Sequence, residues 1–236
     1  MSTTEEAITN VVLVHGAFAD GSGWRGVYDR LTDRGYRVTI VQNPLTSFED
    51  DVAATRRVLD LQDRPTILVG HSWGGTVITE AGVHDKVAGL VYVSALAPDV
   101  GQSSGEQYEG FAATPDFVID VGEDGFGFLN RDAFKKGFAA DATDDEAAFM
   151  RDSQVPVNMS VFTQAVSQAA WRHKPSWVVF GTEDKAFDQA MLAHMAERAG
   201  ADITVVPGSH AVYLTQADAV ADVIVAAAKG AGASGR

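Results

Sequence analysis

The sequence predicts an α/β fold: a doubly wound, mostly parallel sheet with a helical lid inserted between two of its strands. Three observations lead there. Short, unbroken apolar runs alternate with stretches of helical period. The runs are not polar on every second residue, so they suit strands buried on both faces. One long stretch, residues 98–172, breaks the rhythm. A length of 236 residues fits a single domain with such an insertion. Its expected division is a core of 1–97 and 173–229, a lid over about 98–172 and a disordered tail over 230–236.

Residues 10–15 (NVVLVH) form the first strand, ended by Gly16. Trp24, Val27, Tyr28 and Leu31 mark a helical stripe, with Gly35 as its C-terminal stop. Strands follow at 38–41, 66–69 and 87–94, and a helix carries Val77, Ile78 and Ala81. After the insertion come strands at 176–180 and 203–206. Helical stripes there hold Met191, Leu192, Met195 and Ala199, then Val220, Val223, Ile224 and Ala227. The insertion is rich in glycine and acids and shows no convincing strand; 133–138, 144–150 and 161–170 are its expected helices.

Composition narrows the function. Apolar residues at 46% and charged residues at 21% are the balance of a soluble globular protein. The net charge of −14 argues against binding nucleic acid or an anionic membrane. With no cysteine there is neither a disulfide nor a thiolate site. The first ten residues are polar and carry Glu5 and Glu6, unlike a signal peptide, so a cytoplasmic location is expected. The scattered histidines lack metal-ligand spacing, so no metal or cofactor is expected.

The strongest local signal is Gly70-His71-Ser72-Trp73-Gly74-Gly75, a G-x-S-x-G pattern between an apolar strand and a helical run. Glycines on both sides permit a strained turn that lifts Ser72 above the sheet at a helix N-terminus. A serine nucleophile needs a base, and the base needs an orienting acid. Both belong on loops after strand C-termini. Asp184 follows the strand ending at 180, and His210 follows the strand ending at 206. Glu183 and Asp99 compete with Asp184 as the acid. His71 neighbours the nucleophile but points elsewhere, while His84, His173 and His194 read as surface residues. Two N–H donors for an oxyanion are expected from Trp73 and, in the loop after the first strand, Ala17. The side chains of Phe18 and Trp73 would wall an apolar substrate pocket.

Taken together these segments resemble the α/β-hydrolase family, in the small-lid branch of plant methylesterases and hydroxynitrile lyases with their bacterial relatives. The matching pieces are VLVHGAFADGSGW, GYRVTIVQNP, ILVGHSWGG, VAGLVYVSALAPD, GTEDKAF and GSHAVYLTQADAV. The resemblance implies an α/β-hydrolase fold with Ser72, Asp184 and His210 as triad and Ala17 and Trp73 as oxyanion donors. The hydroxynitrile lyases carry a lysine after the catalytic histidine, where this chain has Ala211, so hydrolysis is favoured over cyanohydrin cleavage. The expected activity is cleavage of a small neutral carboxylic ester through an acyl-enzyme. Lactone opening, C–C bond hydrolysis and cofactor-free perhydrolysis of the haloperoxidase type are alternatives at the same triad, and a non-catalytic receptor is a further one. The expected partner is a small-molecule ester, with room left for a homodimer.

The acidity is uneven. Residues 98–172 hold 13 acidic and five basic residues, on the segment expected to cover Ser72. A solvated acidic surface is the first reading; the sharper one is a lid that disfavours anionic substrates and helps expel a carboxylate product.

Overall fold

The computed structural model describes residues 7–234. Its first half alternates strand and helix: β1 (Asn10–Val14), α1 (Arg25–Asp33), β2 (Arg37–Val41), α2 (Phe48–Asp60), β3 (Thr66–Ser72), α3 (Trp73–Ala81) and β4 (Val87–Ala95). The insertion then contributes β5 (Ile119–Val121), β6 (Phe126–Leu129), α4 (Phe134–Phe138), α5 (Asp144–Asp152) and β7 (Val157–Asn158). The second half returns with β8 (Ser176–Gly181), α6 (Gln189–Arg198), β9 (Asp202–Val206), α7 (Val212–Thr215) and α8 (Ala217–Ser234).

Six strands form one sheet in the order β2-β1-β3-β4-β8-β9, with every neighbouring pair parallel. The apolar runs explain the order. Every residue of β1 and β3 is buried, as central strands covered on both faces require, whereas β2 and β9 are partly exposed at the edges. α1 packs against α8, and α2 against α3, giving the two helical layers of a doubly wound sheet. α1 stops where expected: Gly35 takes φ +84°, and Tyr36 N–H closes on Leu31 O at 3.0 Å. No helix among the described residues is long and apolar enough to cross a membrane.

Four details depart from the sequence reading. α2 has no counterpart in it, although Ser47 caps the helix by accepting from Asp50 N–H and three acids fill its first turn. The insertion is not purely helical, because β5, β6 and β7 form a three-stranded antiparallel sheet. Its hairpin turns at Gly125, φ +80°, within a Glu-Asp-Gly stretch that masks the strands in a composition scan. Residues 161–170 are not a helix: a 3₁₀ turn covers Met159–Thr163, and Ser103 then bridges Ala165. The amides of Ser167 and Gln168 donate to the Glu80 carboxylate at 2.7 and 3.0 Å, so they are not free for a helical ladder. Finally, α8 runs through the expected disordered tail to Ser234, with Gly230 allowing close approach to Trp177; an added Cβ would lie 2.7 Å from that indole. Residues 235 and 236 fall outside the described range. The helices expected at 133–138 and 144–150 are present as α4 and α5, the latter with a Thr143–Glu146 capping box.

Candidate active site

The turn between β3 and α3 is as tight as its glycines imply. Ser72 sits at φ 54°, ψ −121°, and α3 begins at the next residue. A Cβ at Gly70 would lie 2.5 Å from Gly74 O, one at Gly74 2.7 Å from Val14 O, and one at Gly75 2.2 Å from Leu96 O. Only glycine lets these backbones meet and hold Ser72 in that conformation. The result is a serine 7% exposed, at a helix N-terminus.

Two loops on the far half of the sheet bring the other predicted residues together. Asp184, after β8, accepts on Oδ1 from the amides of Ala186 (2.8 Å) and Phe187 (3.0 Å). Its Oδ2 accepts from Nδ1 of His210, after β9, at 2.8 Å. Both side chains are wholly buried. With Nδ1 donating to the carboxylate, the other ring nitrogen, Nε2, has no hydrogen-bond partner here. The two competitors for the acid position lie elsewhere: Glu183 is exposed, and Asp99 pairs with Arg172.

His71 plays a part the sequence does not reveal. Its Nε2 donates to the backbone carbonyl of His210 at 3.0 Å, and its ring lies 4.7 Å from that of His210. Burial, reinforced by His210, holds its pKa well below the usual histidine value, so it is a neutral prop. The α4 region supports the same loop through Ala211 N–H to Phe138 O at 3.1 Å and Ser209 N–H to Asp141 Oδ1 at 3.2 Å. Of the other histidines, His173 and His194 are exposed as expected, while His84 is half-buried against Asp60.

The loop after β1 is braced in the same way. His15 Nδ1–H donates to Gly16 O at 2.8 Å, and its Nε2 accepts from Asn43 N–H at 2.9 Å. Burial lowers its pKa, keeping it neutral. Phe18, at φ 59°, then turns its ring inward. Asp51 of α2 is fully buried, and its carboxylate accepts from Trp73 Nε1–H and Leu45 N–H, each at 2.8 Å. Burial pushes this carboxyl up to about 6, although both hydrogen bonds pull it down. The acid-rich start of α2 is the signal that could have exposed it; nothing local marks Asp51 as the buried member.

Ser72, Ala17, Phe18 and Trp73 line one cavity of about 260 Å³, with the insertion supplying much of the opposite wall, including Tyr108, Phe117 and Phe162. None of the insertion's acids lines it. Several are paired on the surface instead, as Asp116 with Lys136, Asp144 with Lys135 and Asp152 with Arg131. A wider, open groove of about 730 Å³ lies between α2 and the insertion, beside Arg56, Arg57 and Glu80, and none of the predicted site residues reaches it.

Comparison with known proteins places this architecture. The model of the alpha/beta hydrolase family matches residues 11–223. The chain belongs to that family. Within it, a pyrethroid hydrolase from Sphingobium wenxiniae is 28% identical over 247 aligned residues, covering 92% of this chain and 86% of the relative. The crystal structure of a pyrethroid hydrolase from Sphingobium faniae superposes with a TM-score of 0.82 at 22% identity, covering 94% of this chain and 98% of that one. A methylesterase from Arabidopsis gives 0.80 at 17% identity, covering 94% and 100%. The structural likenesses establish the hydrolase fold with its central parallel sheet.

Proposed function

We propose that this hydrolase cleaves a small neutral carboxylic ester, with Ser72 as nucleophile, His210 as base and Asp184 as orienting acid. The observation that carries the reading is the pairing of a strained Ser72 opening into a cavity with a buried His210–Asp184 pair whose Nε2 is free. The pyrethroid hydrolase name of the Sphingobium wenxiniae relative supports ester cleavage. In this reading Nε2 takes the Ser72 proton as Oγ attacks the carbonyl carbon. The Asp184 carboxylate holds the tautomer and stabilises the imidazolium. The amides of Ala17 and Trp73, on the cavity wall, receive the oxyanion. His210 protonates the departing alcohol, and water then releases the acid. Nε2 has no partner in the resting structure, as is common before substrate tightens a catalytic hydrogen bond. Residue 211, next to His210 in the chain, is alanine and so supplies no cation to hold a departing anion such as cyanide.

Ser72→Ala tests the assignment. Labelling by a fluorophosphonate should vanish and ester turnover should fall about 10⁴-fold or more, while circular dichroism stays native. A variant that still labels normally overturns the nucleophile.

A further inference from the structure

The cavity at Ser72 is walled by six aromatic side chains, Phe18, Trp73, Tyr108, Phe117, Phe162 and Phe187. No charged side chain lines it. An anionic group entering would lose its hydration and gain no cation. At about 260 Å³, with roughly 30 Å³ for each water displaced, it has room for about nine waters, the scale of a small ester carrying one ring.

The rings form two groups, bridged by Phe117, which is edge-on to Phe18 and to the His210 ring at 6.1 Å each. Phe162 stacks on Phe18 at 6.3 Å and meets Trp73 edge-on at 5.4 Å. Phe187 stands apart from these, edge-on to the His210 ring at 4.9 Å and 5.7 Å from Tyr108. Its backbone N–H is held by Asp184 Oδ1, the carboxylate that also orients His210. Phe187 is therefore fixed relative to the proton donor, and the departing alcohol oxygen must lie against that donor. On this geometry the alcohol half of an ester would meet Phe187, and the acyl half would face Phe18, Trp73 and Phe162.

We infer that the substrate is a neutral ester of a single-ring aromatic alcohol, with Phe187 as the residue that reads the ring. The inference rests on the Ser72–His210–Asp184 reading above. The Ser72 Oγ–carbon bond forms, the carbon–alcohol oxygen bond breaks, and the alcohol leaves with the proton from His210. Water then splits the acyl-enzyme, so ester and water yield one acid and one alcohol.

Four acetates test it: benzyl, cyclohexylmethyl, 4-carboxybenzyl and 4-phenylbenzyl, all esters of primary alcohols. The expected kcat/KM for benzyl acetate exceeds that for cyclohexylmethyl acetate about tenfold, since aromatic pairs favour ring on ring beyond area alone. The 4-carboxybenzyl ester should fall about 100-fold below benzyl. The 4-phenylbenzyl ester should fall at least about tenfold, because its second ring exceeds the cavity. Phe187→Leu should bring the benzyl to cyclohexylmethyl ratio to about one while circular dichroism stays native, and Phe187→Tyr should restore the preference. A ratio near one in the native enzyme, or one unchanged in Phe187→Leu, overturns the inference and leaves the esterase reading standing. Absence of labelling and of turnover on every ester overturns both.

Discussion

The two walls of the Ser72 cavity are built by different means. On the sheet side, backbone meets backbone: Gly70, Gly74 and Gly75 bring β3, α3 and the chain after β4 closer than any side chain permits. On the insertion side, two backbone hydrogen bonds, Ala211 N–H to Phe138 O and Asn158 N–H to Leu45 O, are joined by side-chain contacts. Glu80 grips Ser167 and Gln168, the Trp171 indole donates to Pro98 O at 3.0 Å, and Arg198 reaches Gln102 and Gln107 at 3.1 Å each. The difference separates two jobs. The elbow fixes where Ser72 stands and tolerates almost no change. The insertion fixes what fits above it, and its contacts can be altered singly without unmaking the sheet.

The sharpest way to break the comparison is Gly75→Ala. Its Cβ would meet backbone, which cannot swing aside, so the expected cost is about 3–5 kcal/mol, read as loss of soluble protein or a large fall in Tm. A near-native Tm with normal labelling at Ser72 contradicts the claim that the elbow is incompressible. Asp51 joins the two regimes, since a side chain of α2 braces Trp73 next to the elbow. Its carboxyl is raised to about 6 in the folded protein, against about 4 unfolded. The folded state therefore binds more protons in that window, and the contribution to stability declines as pH rises through it. Urea unfolding of the native chain and Asp51→Asn should show their stability difference shifting by about 2 kcal/mol between pH 4.5 and 7, to the disadvantage of the native chain at pH 7. His15 and His71, held neutral by burial, act in the opposite sense and lose stability as pH falls through 6.5, but they do so in both proteins and cancel. A flat difference removes the buried-carboxylate account. The smallest effect is expected from Glu80→Ala, about 1–2 kcal/mol and local, because Ser167 and Gln168 lose a charged acceptor. Hydrogen exchange should quicken at those two amides and stay slow in β3. Equal acceleration in both regions would show that the walls are not independent.

These two regimes also decide what could be read from the chain. Backbone-determined geometry leaves local marks: apolar runs for β1 and β3, glycines around Ser72, and a loop after each strand for Asp184 and His210. The structure brings Asp184 to His210 and places Ala17, Phe18, Ser72 and Trp73 on one cavity. Side-chain contacts across long separations leave no such marks. Nothing near Ser167 announces that Glu80, 87 residues earlier, occupies its amide, so a helix was the natural expectation there. Asp51 lies on a helix the sequence reading does not include, and its role shows only when Trp73 is seen beside it. The hairpin of β5 and β6 is short, half-exposed and hidden by its acids.

The strand order carries a consequence for how the molecule is made. β3 lies between β1 and β4, all contributed by the first half of the chain, whereas β8 and β9 join the β4 edge only after the whole insertion has been spanned. A ribosome thus delivers Ser72 with its neighbours well before Asp184 and His210 emerge, and a partly built sheet carries the proposed nucleophile without its proposed base. The buried His210–Asp184 pair arrives only with the last two strands. Closing the intervening loop costs only about 0.6 kcal/mol more for each doubling of its length, so the insertion can be lengthened or exchanged at little expense to assembly.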